Sequence, residues 1–286
     1  MNRKEEFSDA VNQVVNQVIE LHPNLAVLSS LSNLLNKPDT ALDDLAQLIK
    51  SEPALTADII KISNSSFYAA SSECSDIESS LARIGFNDVL KVVSLILSQN
   101  LCSMRLESYR MDPDDLWAES VTASLLMETM ALAARLNKAK AATTGILHNV
   151  GRVIINNLME YFQIDLRWDA SIPVTDWEES VVGFNYGEAG GRFLREMKFP
   201  EEIREIIRYH VDPGQAPQAP HPLTHLLHYC VQLADLVGRG FSNTAYNVPD
   251  TTQLRQHVEL SGEDIREAVA EAKSRYEQIN RKVLTR

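Results

Sequence analysis

A chain of 286 residues, 44% hydrophobic and 23% charged, is long enough to bury a sizeable core and too apolar for a disordered polymer. Its formal net charge of −12 excludes a dedicated nucleic-acid binder, because phosphate contacts need a concentrated basic surface and no run of lysines and arginines supplies one. The longest apolar runs, such as "VVSLIL" at 92–97, are too short to span a bilayer, and "MNRKEEFSDAVNQVV" carries no apolar core of signal-peptide type, so no membrane is expected.

Helical signals then follow one another along the chain. Residues 40–50, "TALDDLAQLIK", open on Thr40 with Asp43 three positions on, a capping-box pattern, and Leu42, Leu45, Leu48 and Ile49 share one face. Pro53 is placed as the first residue of the next helix, in "EPALTADIIKIS". Residues 86–101, "FNDVLKVVSLILSQNL", are apolar around much of the circumference and predict a buried central helix. A helix over 113–137 starts at Pro113 and Asp114, and 138–160 is again helical. Within it, "GILHNVGR" reads as a helix carrying an adjacent polar pair, His148 and Asn149, in an apolar setting. "GEAGGRFLREM" and "PEEIREIIRYH" predict two shorter helices joined at Lys198–Pro200.

Four prolines in "HVDPGQAPQAPHPLTH" at 210–225 cannot continue a helix and predict a surface loop. The last helix begins after Ser261, with Glu263 and Asp264 in its first turn. Its stripe of Ile265, Val269, Ala272, Tyr276, Ile279 and Val283 must pack on the domain or on a partner. No segment alternates as a strand does and no fixed period repeats, so the fold class is all-α. A polar stretch near 103–115 divides the chain into an N-terminal helical subdomain (1–110), a second helical subdomain (111–245) and a C-terminal helical extension (246–286). The first of these is expected to hold about four to five helices. The cysteines, Cys74, Cys102 and Cys230, are scattered and form no CxxC unit, which predicts small buried hydrophobes and a reducing cytoplasm.

The order of motifs resembles the HDOD family, bacterial relatives of the HD-domain phosphohydrolases. In the N-terminal half the matching residues are "ALDDLAQLIKSEPALTADIIKISNSSFY" at 41–68 and "DIESSLARIGFNDVLKVV" at 76–93. In the second half "LWAES", "GILHNVGRVII", "FNYGEAGGRFL", "EIIRYH" and "LADLVGRG" come in the family's order, so the resemblance covers roughly residues 20–240. It implies a multi-helix bundle in which 111–245 is a degenerate HD-like unit.

The parent site takes a histidine from one helix, a His-Asp pair from a later one and a final aspartate. Here Glu119 follows "LWA" in place of the histidine, Asn149 follows His148, and Asn185–Tyr186 stand for a further Asp-His pair. His210 is followed by Val211, and Asp235 matches the last aspartate. The resemblance thus implies a vestigial pocket of Glu119, His148, Asn149, Tyr186, His210 and Asp235, with no catalytic residue and no metal. In that reading His148, Asn149 and Asp235 hydrogen-bond to each other and tie three helices together. Two alternatives stay open. A mixed site of Glu119, His148 and Asp235 would hold a divalent metal and hydrolyse a nucleotide or phosphodiester, or the old pocket would hold a small ligand.

Other stretches carry residues suited to chemistry. His221, His225 and His228 have spacings that one helical face uses for metal, against the simpler reading of a polar face. "GEAGG" at 187–191 follows no strand and reads as helix packing, and no serine or cysteine sits in a nucleophile elbow. In "ISNSSFYAASSE", Asn64, Phe67 and Tyr68 are an interaction-surface candidate, against rings that seal the core. The function implied is bacterial signalling by binding, with signalling proteins of a cyclic-dinucleotide or two-component network as partners and homo-oligomerisation left open. The chain shows no attached receiver or output domain, so it is expected to act through a surface.

Overall fold

The computed structural model describes residues 3–21, 25–35, 37, 39–65, 68, 73–101, 103–239 and 250–283. Among them the regular elements are α-helices and short 3-10 turns, with one isolated bridge between Leu106 and Met111. The all-α class is as the periodicity predicts.

Six helices precede the polar stretch near residue 103: α1 (Arg3–Leu21), α2 (Leu25–Leu35), α3 (Leu42–Lys50), α4 (Pro53–Ser63), α5 (Ile77–Ile84) and α6 (Val89–Leu101). Pro53 does open α4, where its missing N–H costs no hydrogen bond. The cap of α3 sits one residue later than the Thr40–Asp43 pattern suggests. Ala41 is the cap residue, Asp44 accepts from its N–H at 2.9 Å, and the Thr40 hydroxyl donates instead to the Leu34 carbonyl. Thr40 is held by the preceding helix, which leaves the box with one half only.

The next helix, α7 (Pro113–Ala133), organises the rest. From Leu116 to Ala131 all its residues are buried except Ala118, because α6, α8, α13 and α14 pack around it. It ends at Ala133 rather than at 137, since Arg135 turns left-handed (φ 57°) and Asn137 caps the following helix through Lys140 N–H. The predicted helix over 138–160 is two helices, α8 (Lys138–Leu147) and α9 (Val150–Tyr161). The remaining elements are α10 (Val174–Val181), α11 (Tyr186–Glu196), α12 (Glu201–Tyr209), α13 (Pro222–Val237) and α14 (Gly262–Val283). The proline-rich loop ends at His221, whose Nδ1 accepts from Leu223 N–H, and Pro222 opens α13.

Ser261 and Asp264 form a full capping box for α14, and Ile265, Val269, Ala272 and Tyr276 are buried on α7. Helix α1 packs on α9 and α11, with Phe7 edge-on to Phe162 at 4.8 Å. Cys74 and Cys230 are buried free thiols, while Cys102 lies outside the described residues. No described helix is long and apolar enough to cross a membrane.

Candidate functional site

The His148–Asn149 pair sits at the break between α8 and α9: His148 ends one helix and Asn149 begins the other. The break is shaped by close approach. A Cβ on Gly151 would lie 1.8 Å from the Tyr186 carbonyl oxygen, so the starts of α9 and α11 touch backbone to backbone. The glycines of "GEAGG" do similar work against α12, where a Cβ on Gly187 would meet the Arg208 carbonyl at 2.8 Å.

This contact brings Arg152, in the first turn of α9, against Tyr186, the first residue of α11. The Arg152 guanidinium lies 4.6 Å from the Tyr186 ring centroid and donates to Glu119 Oε1 on α7 at 2.7 Å. Both ends of the ion pair are buried, at 8% and 7% exposure. Behind Tyr186 stands Glu178 on α10, fully buried. It accepts from the Tyr109 hydroxyl at 2.7 Å and from Tyr186 N–H at 2.8 Å.

The two histidines lie beside this core. His148 Nδ1 donates to the Gly145 carbonyl at 2.7 Å, which turns its Nε2 lone pair inward, and no partner meets it. His210 Nδ1 donates to the Ile207 carbonyl at 2.6 Å, and its Nε2 accepts from the Tyr186 hydroxyl at 3.2 Å. The two rings meet edge to face at 5.8 Å. Asn149 donates to Ser120 Oγ at 3.3 Å and leaves its Oδ1 unpartnered, as is Arg152 Nε. A void of about 10 Å³ touches Asn149 and Ser120, room for about one water molecule.

Charge explains the arrangement. Burial alone would raise the Glu119 carboxyl, but the Arg152 guanidinium, helped by His148, holds it below the usual range. Burial pushes Glu178 up to about 7 despite Arg152 nearby. Desolvation lowers His148 to about 4 and His210 to about 3, so both are neutral near pH 7. Asp235 reaches solvent at the edge of the core, where burial of its surroundings and then Glu119 push it up to about 6. One guanidinium thus faces Glu119, Tyr186, Glu178, Tyr109 and Asp235.

The structure therefore gathers Glu119, His148, Asn149, Tyr186 and His210 and leaves Asp235 at the rim. It corrects the expected mutual bonding of His148, Asn149 and Asp235. No hydrogen bond among the described residues links the three, because the helix break aims His148 at Gly145 and Asn149 at Ser120.

A divalent ion fits this donor set poorly. Glu119, a hard anionic donor, is already neutralised by an arginine, and Asn149 has no charge to offer. Among the described residues no group of three or more His, Cys, Asp and Glu side chains is placed to hold a metal. The other histidines diverge as well. His221 pairs with Glu202, His225 stacks on His257 at 3.6 Å, and His228 donates to the His210 carbonyl.

At the other candidate surface, Asn64 exchanges two hydrogen bonds with the backbone of Cys74 and accepts a third from Arg83. Tyr68 is half-buried, and Phe67 lies outside the described residues. Sequence reasoning missed Arg152, Glu178, Tyr109 and Ser120. Arg152 carried a signal, since it follows His148 by four positions, which puts a charge on the same helical face. Glu178 and Tyr109 carried none, because their partners lie 69 and 8 positions away on other elements.

The family model for the HDOD domain matches residues 21–213. An uncharacterized protein of Treponema pallidum (strain Nichols) is 25% identical over 203 residues, 68% of this chain. The chain spans only 38% of that relative's length. An HDOD domain protein of Geobacter sulfurreducens, a crystal structure, superposes with TM-score 0.63 at 21% identity, covering 93% of this chain and 96% of its own. A Marinobacter aquaeolei VT8 protein named for signal transduction gives TM-score 0.64 at 19% identity, covering 95% of this chain and 64% of that one. At these identities the solved structures share the fold.

Proposed function

The chain belongs to the HDOD family, and from that premise we propose that it is a non-catalytic regulatory protein of bacterial signal transduction, acting by binding other proteins. The observation that carries the reading is the buried Glu119–Arg152 pair: an organic cation, fixed to the protein, neutralises the carboxylate that a metal would need. A guanidinium supplies the positive charge that holds α7, α9 and α11 together, yet it cannot polarise a water as a divalent metal does.

A second reading, a metal-dependent phosphohydrolase, is favoured by one observation, the inward and unpartnered Nε2 of His148. Metal analysis of the purified protein, combined with assays on a generic phosphodiester and a nucleotide panel, separates the two. Substoichiometric iron, manganese and zinc with no turnover is expected. Stoichiometric metal with turnover lost in His148→Ala would overturn the proposal.

A further inference from the structure

We propose that the cleft between α4, α6, α7 and α14 binds a small uncharged molecule with an apolar body and one polar end that both donates and accepts hydrogen bonds, such as an aliphatic primary amide. The cleft measures about 340 Å³, within the roughly 300–1,000 Å³ of small-molecule sites. Val92 on α6 and Val121 and Leu125 on α7 are buried in its wall. Ile62 on α4, Leu95 on α6 and Ile279 on α14 line it while staying partly exposed, and an apolar body would take the place of the water on them. The cleft shares no residue with the Arg152 core and does not depend on how that core is read.

The charges of the cleft balance, and that sets the head group. Glu128, 6% exposed at its side chain, accepts from Lys91 through Oε1 at 3.0 Å and from Arg275 through Oε2 at 2.8 Å. Lys91 pairs with Asp88 as well, at 3.2 Å, outside the lining. On α4 the exposed Asp58 and Lys61, opposite in sign, stand three positions apart. Lys61, Lys91 and Arg275 are thus matched by Asp58, Glu128 and Asp88. A charged head entering here gives up its hydration and finds the inner charges already held by opposite ones. Ser65, Gln99 and Gln278 complete the polar lining with neutral groups that both donate and accept. An amide end matches them, because it carries N–H and C=O together.

An occupant touches α4 and α6 from the first half of the chain and α7 and α14 from the second. Its binding therefore adds to the ties between the halves that the Lys91–Glu128 pair already makes.

Octanamide, octanoate and octylamine share one chain length and differ in the charge of the head. Each is titrated into the full chain, below any micelle concentration, by calorimetry and by thermal unfolding. Octanamide is expected to bind saturably and raise the unfolding midpoint, and the two ions to bind about tenfold more weakly or worse. Lys61→Gln and Asp58→Asn, both at exposed positions, each unbalance the charge of the cleft. Relative to octanamide, the first is expected to favour octylamine and the second octanoate, each by about threefold. Ile279→Trp, which fills the cleft from α14, is expected to abolish octanamide binding, with its helix content checked by far-ultraviolet circular dichroism. Either ion binding as tightly as octanamide, preferences that ignore both charge substitutions, octanamide binding that survives Ile279→Trp, or no saturable octanamide binding up to about 1 mM would each overturn the proposal.

Discussion

Arg152 is the residue on which the polar core depends. It is buried, it is charged, and removing it strands Glu119 in a site closed to water. Breaking such a pair from one side typically costs about 3–5 kcal/mol, whereas replacing both partners by apolar residues is often neutral. Arg152→Met is therefore expected to lose stability in that range by urea denaturation, and Glu119→Leu/Arg152→Met to recover most of it. Equal losses in the single and double variants would refute the pair's role. His210 makes a pH prediction. Its folded pKa, about 3, lies below the unfolded value, so between the two the unfolded chain binds the extra proton and stability falls as pH falls. His210→Gln lacks that loss and keeps an amide for Tyr186. The stability gap between wild type and variant should narrow by roughly 2 kcal/mol from pH 7 to pH 4.5. Glu178 and Asp235, whose pKa values are raised to about 7 and about 6, act in the opposite direction but in both proteins, so they cancel in the difference. A gap independent of pH would refute the assignment.

Among elements, the contact of α9 with α11 is the most demanding. The chain approaches itself so closely at Gly151 that a methyl group has no space, and the obstacle is the Tyr186 backbone rather than a movable side chain. Gly151→Ala is expected to destabilise by about 3 kcal/mol or more and to disturb the Arg152–Tyr186 stacking, visible as a changed tyrosine environment in near-ultraviolet circular dichroism. Retained wild-type stability would show that the helices slide apart cheaply. Helix boundaries were legible where a cap or a proline marks them, as at Pro53 and Ser261. The break at His148–Asn149 was not legible, because both residues keep near-helical backbone angles and the close contact beside it joins Gly151 to Tyr186, 35 positions further on. Helix α10 went unread for a related reason. It spans only eight residues, too few for a clear apolar period, and buries a carboxylate, Glu178, beside Trp177.

At the scale of the whole molecule, α7 and α1 tie the two halves together, α7 by packing on α6 and α8 and α1 by packing on α9 and α11. Unfolding is expected to be a single transition. The three tryptophans, Trp117, Trp168 and Trp177, all lie in the second half, so their fluorescence reports that half while far-ultraviolet circular dichroism reports every helix. Coincident denaturation curves are expected, and separated ones would mean that the halves unfold independently. The sequence by itself determined the helical class, the places of several of the helices and the family, since apolar periodicity and motif order are carried by neighbours along the chain. It also singled out Glu119, Asn149 and Tyr186 as candidate site residues. Tertiary structure alone decided what these residues do. The partner of Glu119 lies 33 positions away, and the cleft draws its walls from residue 58 to residue 279. A buried charge is satisfied by whatever the packed helices place beside it, and that placement follows from the core as a whole rather than from any local pattern.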